Sequence, residues 1–238
     1  MRFIDPTEYI TEVSKEAQAS ALPHLVPIYN GRDDQVGTAF LTMWHGKQLL
    51  VTAAHCLFGA TFTEKAEDKQ IFADGALKPL GQVTRSEVAF TKEMDVAIAH
   101  VDGFEPRRVL PYTALQIGLP APERVSIVGY LARDFHRSGA DTILRPKPFC
   151  YSGTKVELGP QLVGVRYNKR AVTTKNGQLE LAPIPRGVSG APMLNTAALL
   201  LNQVRVCGVF TDERMSDAHV FGTHADVLPP LMQTLIEP

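Results

Sequence analysis

Three short segments carry side chains that could do chemistry together. In Leu50-Val51-Thr52-Ala53-Ala54-His55-Cys56 an apolar stretch runs into two alanines and then a histidine. In Met94-Asp95-Val96-Ala97-Ile98-Ala99 an acid opens an otherwise apolar run. In Arg186-Gly187-Val188-Ser189-Gly190-Ala191-Pro192 a serine sits close to two glycines, shortly after Pro183 and Pro185. A hydroxyl, an imidazole and a carboxylate are the side chains of base-assisted nucleophilic catalysis. Each segment also has an ordinary reading when taken alone. A histidine at a strand end is commonly structural, an acid can cap a strand at the surface, and a Gly-rich turn needs no further role. Two features favour chemistry. A carboxylate buried beside an apolar strand is costly without a partner. Glycines permit unusual backbone angles and close approach, which a site built from backbone N–H donors requires.

The surrounding pattern indicates which elements must position these groups. Short apolar or alternating runs recur at Leu25–Tyr29, Gly37–Leu41, Gln48–Thr52, Asp95–Ala99, Val125–Val128, Leu162–Val165, Val204–Phe210 and His219–Phe221. Turn clusters such as Asn30-Gly31-Arg32-Asp33 and Lys175-Asn176-Gly177 punctuate them. Many short strands with such punctuation predict an all-β sandwich or barrel. Residues 5–20 are expected to form a short amphipathic helix with Tyr9, Ile10 and Val13 on one face. A second helix is expected from Ala225 to about Ile236, with Pro229 and Pro230 in its first turn. The proline-bearing stretch from about Gly103 to Pro122 is the candidate linker between two halves.

Composition narrows the function classes. The chain has 238 residues, 45% of them hydrophobic, enough for one sizeable core or two small packed barrels. Its formal net charge is -1, which gives no electrostatic reason to coat nucleic acid or an anionic membrane. No apolar run approaches the roughly 20 residues that a membrane helix needs. Carboxylates enter by the fifth residue and no apolar signal core follows, so a cytoplasmic location is expected. Cys56, Cys150 and Cys207 are too few and too irregular for a disulfide framework or a zinc site, and read as small buried thiols. The seven histidines show no ligand spacing, so no metal or cofactor is expected.

The order His, Asp, Ser, within Thr-Ala-Ala-His-Cys, Asp-Val-Ala-Ile and Gly-Val-Ser-Gly-Ala-Pro, resembles the chymotrypsin/trypsin family of serine peptidases. The likeness extends to Gly37-Thr38-Ala39-Phe40 and Val206-Cys207-Gly208-Val209-Phe210 and spans about residues 25 to 237. In style it is nearer to intracellular-type bacterial and viral relatives than to secreted digestive enzymes. The resemblance implies two six-stranded antiparallel β-barrels, flanked here by the short N-terminal and C-terminal helices. The corresponding segments are an N-terminal helical segment at 1–24, a first barrel at 25–108 with His55 and Asp95, and a linker at 109–122. A second barrel at 123–224 with Ser189 and a C-terminal helix at 225–238 follow. It further implies a serine endopeptidase acting on protein or peptide substrates. Ser189 would be the nucleophile, His55 the base and Asp95 its orienting acid, with the N–H groups of Gly187 and Ser189 as the oxyanion hole.

The sequence also departs from that family. Secreted relatives bridge the cysteine after the histidine to one before the strand; Gly37-Thr38-Ala39-Phe40 has none, so Cys56 is expected to be a free thiol. The residue before the nucleophile is an acid in those relatives and pairs with a newly cut N-terminus; here it is Val188. An Arg-Ile-Val-Gly-Gly activation site is lacking. A peptidase of this kind needs restraint, from a narrow substrate or a regulatory protein partner. The resemblance assigns the pocket for the residue before the cut to Pro183 and Ile184, Thr211, Asp212 and Glu213, and His219. With Pro183 or Ile184 where a trypsin-type pocket has its acid, a small or medium apolar residue is expected there. Asp212 and Glu213 at the mouth would favour Lys or Arg, and His219 would favour Glu. Two other readings compete. One is a catalytically silent module of the same fold. The other is an α/β-hydrolase-type esterase using Ser189, Asp212 or Asp217, and His219 or His224.

Overall fold

The computed structural model of the chain describes residues 6–31, 34–85, 88–132, 146–167, 172–173, 179–180, 184–214 and 218–235. The first half is a seven-stranded antiparallel sheet. Its strands are β1 (Leu25–Asn30), β2 (Asp34–Trp44), β3 (Lys47–Ala53), β4 (Lys69–Ala73), β5 (Ala76–Pro79), β6 (Ala89–Thr91) and β7 (Val96–Val101). They lie in the order β5-β4-β1-β2-β3-β7-β6. Asp74 and Gly75, with φ of 55° and 79°, make the tight two-residue turn between β4 and β5 that suits the twist of a hairpin.

The second half is a closed six-stranded barrel. It is built from β8 (Arg124–Leu131), β9 (Lys147–Val156), β10 (Leu162–Arg166), β13 (Pro192–Asn195), β14 (Val206–Arg214) and β15 (His219–His224), in the order β10-β15-β14-β13-β8-β9. β11 (Val172–Thr173) and β12 (Leu179–Glu180) form a separate two-stranded ribbon. The α-helices among the described residues are α1 (Pro6–Ala21), α2 (Ala54–Phe58), α3 (Leu80–Val83), α4 (Thr196–Leu199) and α5 (Leu228–Thr234). Pro229 and Pro230 fall in the first turn of α5, where their missing N–H groups cost nothing.

The all-β expectation with a helix near each end therefore holds, and the second barrel closes with six strands. The first half differs in detail, because β6 adds a seventh strand and the edge strands β5 and β6 do not pair. The sheet still curls. Thr84 bridges Val101, Arg85 N–H donates to His100 O at 2.9 Å, and Asp102 N–H donates to Val83 O at 3.1 Å. The segment after β5 is thereby drawn onto β7. Among the described residues every pairing between the named strands is antiparallel, so they form no parallel sheet of the kind an α/β-hydrolase needs.

The period-two alternation of strands explains how the halves join. Along β3, Leu50 faces a cluster inside the first sheet, with Ile28, Leu41, Ile71 and Ala99. Leu49 and Val51 face the opposite way, into a cluster shared with Val128, Leu194, Val206, Val209 and Leu228 of the second half. Burying such a side chain contributes about 1.5–3 kcal/mol, so the shared cluster fixes one half against the other. A third cluster, with Ile127, Val163, Val188, Met193 and Phe210, fills the second barrel. The stretch between the halves is docked to both. Leu110 bridges Thr42, and Leu115 bridges Val206. Among the described residues no helix is long and apolar enough to cross a membrane.

Candidate active site

β3 ends at Ala53, and α2 begins at Ala54, so His55 stands in the first turn of a short helix at the rim of the sheet. Ala53 and Ala54 are fully buried, so only small side chains fit where the strand turns into the helix. Asp95 precedes β7, the neighbour of β3, and holds a left-handed φ of 50° that Asp tolerates better than most residues. That conformation lets one residue grip the helix start at three points. Ala54 N–H donates to Asp95 O at 3.1 Å, His55 N–H donates to Asp95 Oδ1 at 2.9 Å, and His55 Nδ1 meets Asp95 Oδ2 at 2.6 Å. The carboxylate satisfies a helix N–H that would otherwise lack a partner and orients the imidazole with its other oxygen.

The pair is partly open, with side chains 30% and 24% exposed. Burial pulls the imidazole's pKa down, but the hydrogen bond to Asp95, the neighbouring Cys56 and the charge of Asp95 together outweigh it and hold His55 above its ordinary 6.5. With Nδ1 committed to the carboxylate, Nε2 is the nitrogen available to act as a base.

Ser189 arrives from the other half, in the turn that leads into β13. Gly187 and Gly190 have φ of 83° and 87°. Val188 N–H donates to Pro185 O at 3.1 Å, so residues 185–188 form a turn with positive φ at its third position, the place where glycine is required. Gly190 is demanded sterically as well, since a Cβ there would overlap Thr38 O and Thr52 Oγ1. The serine backbone is seated on the first sheet. Ser189 O accepts from Thr38 N–H at 2.8 Å and from Cys56 Sγ at 3.4 Å. The nucleophile candidate therefore lies against the residue that follows His55. Among the described residues the N–H groups of Gly187 and Ser189 and the Ser189 Oγ make no hydrogen bond within the protein. A loose serine–histidine contact is common before substrate arrives.

The remaining predicted site residues are less concentrated. Pro183 lies outside the described residues. Ile184 is exposed while Pro185 behind it is buried. Thr211 is buried on β14, Asp212 beside it is exposed, and Glu213 continues the strand. His219 opens β15 and is 8% exposed, paired in register with Arg214 on one side and Arg166 on the other. All three cysteines are free thiols; burial pushes those of Cys150 and Cys207 well above the usual range, which makes them poor nucleophiles. A cleft of about 570 Å³, lined by Phe58, Glu64, Leu80, Val88 and Phe90, opens beyond the far end of α2. A groove of about 900 Å³ lined by Trp44, Tyr112, Leu119, Leu201 and Arg205 includes none of the predicted residues. Sequence reasoning missed the Thr38 contact to Gly187 and the Cys56 contact to Ser189, because no local pattern links residues 149 and 133 positions apart.

The fold is shared with known serine proteases. A serine endoprotease from Yersinia pestis superposes with a TM-score of 0.61 at 16% identity, covering 98% of this chain and 68% of its own. The thermostable serine protease AL20 from an extremophilic microorganism gives 0.57 at 13% identity, covering 91% and 98%. Human heparin binding protein gives 0.56 at 17% identity, covering 100% and 96%. No curated protein matches by sequence. The family model described as a trypsin-like peptidase domain matches residues 37–201, well over half of the sequence, and the chain belongs to that family.

Proposed function

We propose that the chain is a serine endopeptidase in which Ser189, His55 and Asp95 form the catalytic triad. Ser189 Oγ attacks the carbonyl carbon of the scissile peptide bond while His55 Nε2 takes its proton. Asp95 accepts the Nδ1 hydrogen, fixes the tautomer and stabilises the imidazolium. The negative charge that develops on the carbonyl oxygen is met by the N–H groups of Gly187 and Ser189. One such donor contributes about 2.7–4 kcal/mol to the transition state. The intermediate collapses, His55 returns the proton to the leaving amine, and an acyl group remains on Ser189. Water, deprotonated by His55, then cleaves that ester and restores the serine. The chemistry draws only on side chains and backbone N–H groups.

The observation that carries this reading is the three-point grip of Asp95 on the start of α2, with the Ser189 backbone seated against Cys56, the next residue along. For the residue before the cut we propose a small or medium apolar side chain. Thr211 and His219 are buried nearby, Val188 and Phe210 are part of the barrel's apolar core, and Asp212 is exposed and so sits at the mouth at most. A cation desolvated there without a partner costs several kcal/mol.

Labelling with a fluorophosphonate probe tests the assignment. The wild-type chain should be modified at Ser189 and should cleave members of a peptide library. Ser189→Ala should keep the fold and lose both. Near-wild-type turnover by that variant would sink the nucleophile assignment, and a clear preference for Arg, Lys or Glu before the cut would remove the apolar pocket.

A further inference from the structure

Four successive carbonyls pass through the serine turn, and each has a fixed donor. Arg186 O accepts from Ala132 N–H at 2.9 Å, Val188 O from Ala191 N–H at 2.9 Å, and Ser189 O from Thr38 N–H at 2.8 Å. Gly187 O differs in kind, because its donors are two side chains of β2. Thr38 Oγ1 donates to it at 2.8 Å and Gln35 Nε2 at 3.2 Å.

The orientation of both side chains follows from their other partners. Thr38 Oγ1 accepts from Tyr130 N–H at 3.1 Å, which leaves its hydrogen for Gly187 O. Gln35 Nε2 faces two carbonyls, Gly187 O and Tyr130 O at 2.9 Å, so the amide must present its NH2 to them. Thr38 is 0% exposed and Gln35 4% exposed, so these bonds face no competition from bulk water.

Gly187 is the residue of the turn that most needs such a hold. It has no Cβ and a φ of 83°, so the peptide groups on either side of it rotate more freely than any other in the turn. A peptide is planar, and among the described residues none is cis, so each N–H points opposite to the carbonyl of its own peptide group. Ala132 sets the peptide that carries the Gly187 N–H. Thr38 and Gln35 set the next one, and Ala191 sets the peptide that carries the Ser189 N–H. Val188, fully buried in the apolar core of the second barrel, brings no charge to the turn.

We propose that Thr38 and Gln35 are positioning residues for the oxyanion-binding turn. They grip the Gly187 carbonyl with neutral hydrogen bonds from the first half. The inference rests on the serine peptidase reading above. It also means that the turn is set without any newly cut N-terminus.

The test uses Thr38→Val, which removes a hydroxyl at nearly constant shape, Gln35→Met, and the conservative Thr38→Ser. Rates are measured per titrated active site on the best library peptide, together with inhibition by its aldehyde, which forms an oxyanion, and by the matching alcohol, which does not. We expect kcat to fall about ten- to a hundred-fold in Thr38→Val and Gln35→Met with KM within twofold. Aldehyde affinity should fall by a similar factor, alcohol affinity should be unchanged, and Thr38→Ser should restore all three. If Thr38→Val does not fold, Gln35→Met decides alone. Values within threefold of wild type, equal losses of aldehyde and alcohol, or failure of both variants to fold would each overturn the proposal. A wild-type chain that neither turns over nor is labelled at Ser189 defeats the peptidase reading itself, and this inference with it.

Discussion

His55 and Asp95 are held by one another and by the short helix that Asp95 caps, all within the first half of the chain. Ser189 belongs to the second half, and beside bonds to Ala132, Ala191 and Phe210 of that half its turn is held by the first, through Thr38, Cys56 and the side chains on the Gly187 carbonyl. The imidazole clamp is thus a local device made of side-chain bonds. The serine turn is a long-range device made of backbone carbonyls docked on a foreign sheet. A disturbance of the join between the halves should therefore reach the serine before it reaches the histidine.

The largest expected effect comes from breaking the local clamp without unfolding it. Asp95→Asn should lower kcat by roughly 10⁴ by favouring the wrong tautomer. Asparagine tolerates the left-handed backbone, and its carbonyl can still accept the His55 N–H. The unfolding midpoint should therefore move little at pH 10, where the charge on the imidazole no longer contributes. Turnover within tenfold of wild type would show that the clamp orients nothing that matters.

The serine turn should instead be sensitive to volume. Gly190→Ala places a Cβ against Thr38 O and Thr52 Oγ1 and keeps an unfavourable φ of 87°. A loss of about 2–4 kcal/mol is expected in denaturant unfolding. Gly31→Ala carries a similar φ of 76° into open space and should cost only about 1 kcal/mol. Equal losses would mean that backbone strain, not docking of the turn, dominates at Gly190.

The smallest effect is in pH dependence, and it separates the clamp from the turn. His55 is raised above 6.5 by Asp95, and catalysis needs it neutral. The acidic limb of kcat/KM should therefore lie above pH 6.5 and move down in Asp95→Asn. The sign for stability is the reverse. A pKa raised on folding contributes stability that is fully present below 6.5 and fades as pH climbs through the folded value. The melting-temperature gap between wild type and Asp95→Asn should shrink from pH 6 toward pH 10. A gap that widens over that interval would contradict the assigned direction.

Much of this was legible in the sequence where chemistry and backbone demands coincide. The Ala-Ala-His junction, the acid before an apolar run and the glycine-flanked serine each mark a site where few residues fit, and they lie at the β3–α2 junction, just before β7 and in the turn before β13. Strands with continuous apolar runs, such as β3 and β7, were equally plain. β4 and β9 were not. Lys69–Ala73 begins with a lysine whose charge is satisfied by Glu64, and Lys147–Val156 carries a proline and a glycine, so the apolar signal is diluted in both. The joins between halves were invisible for a different reason. Gln35 and Gly187 are 152 positions apart, and a single side-chain amide leaves no periodicity to read.

The N-terminal helix bears on how the chain comes together in time. α1, with its buried Val13, Ala17 and Ala21, packs chiefly on β9, α4 and β8 of the second half and also touches β11. The next segment, β1, enters the first sheet at once. During synthesis the earliest helix must therefore wait, undocked, until most of the second barrel exists. A lone 16-residue helix is marginal in water, so it spends that interval fraying. Val13, Ala17 and Ala21 are small, so these positions leave little sticky surface exposed meanwhile. Docking of α1 should thus be among the last events of folding, a late closure that follows completion of the barrel beneath it.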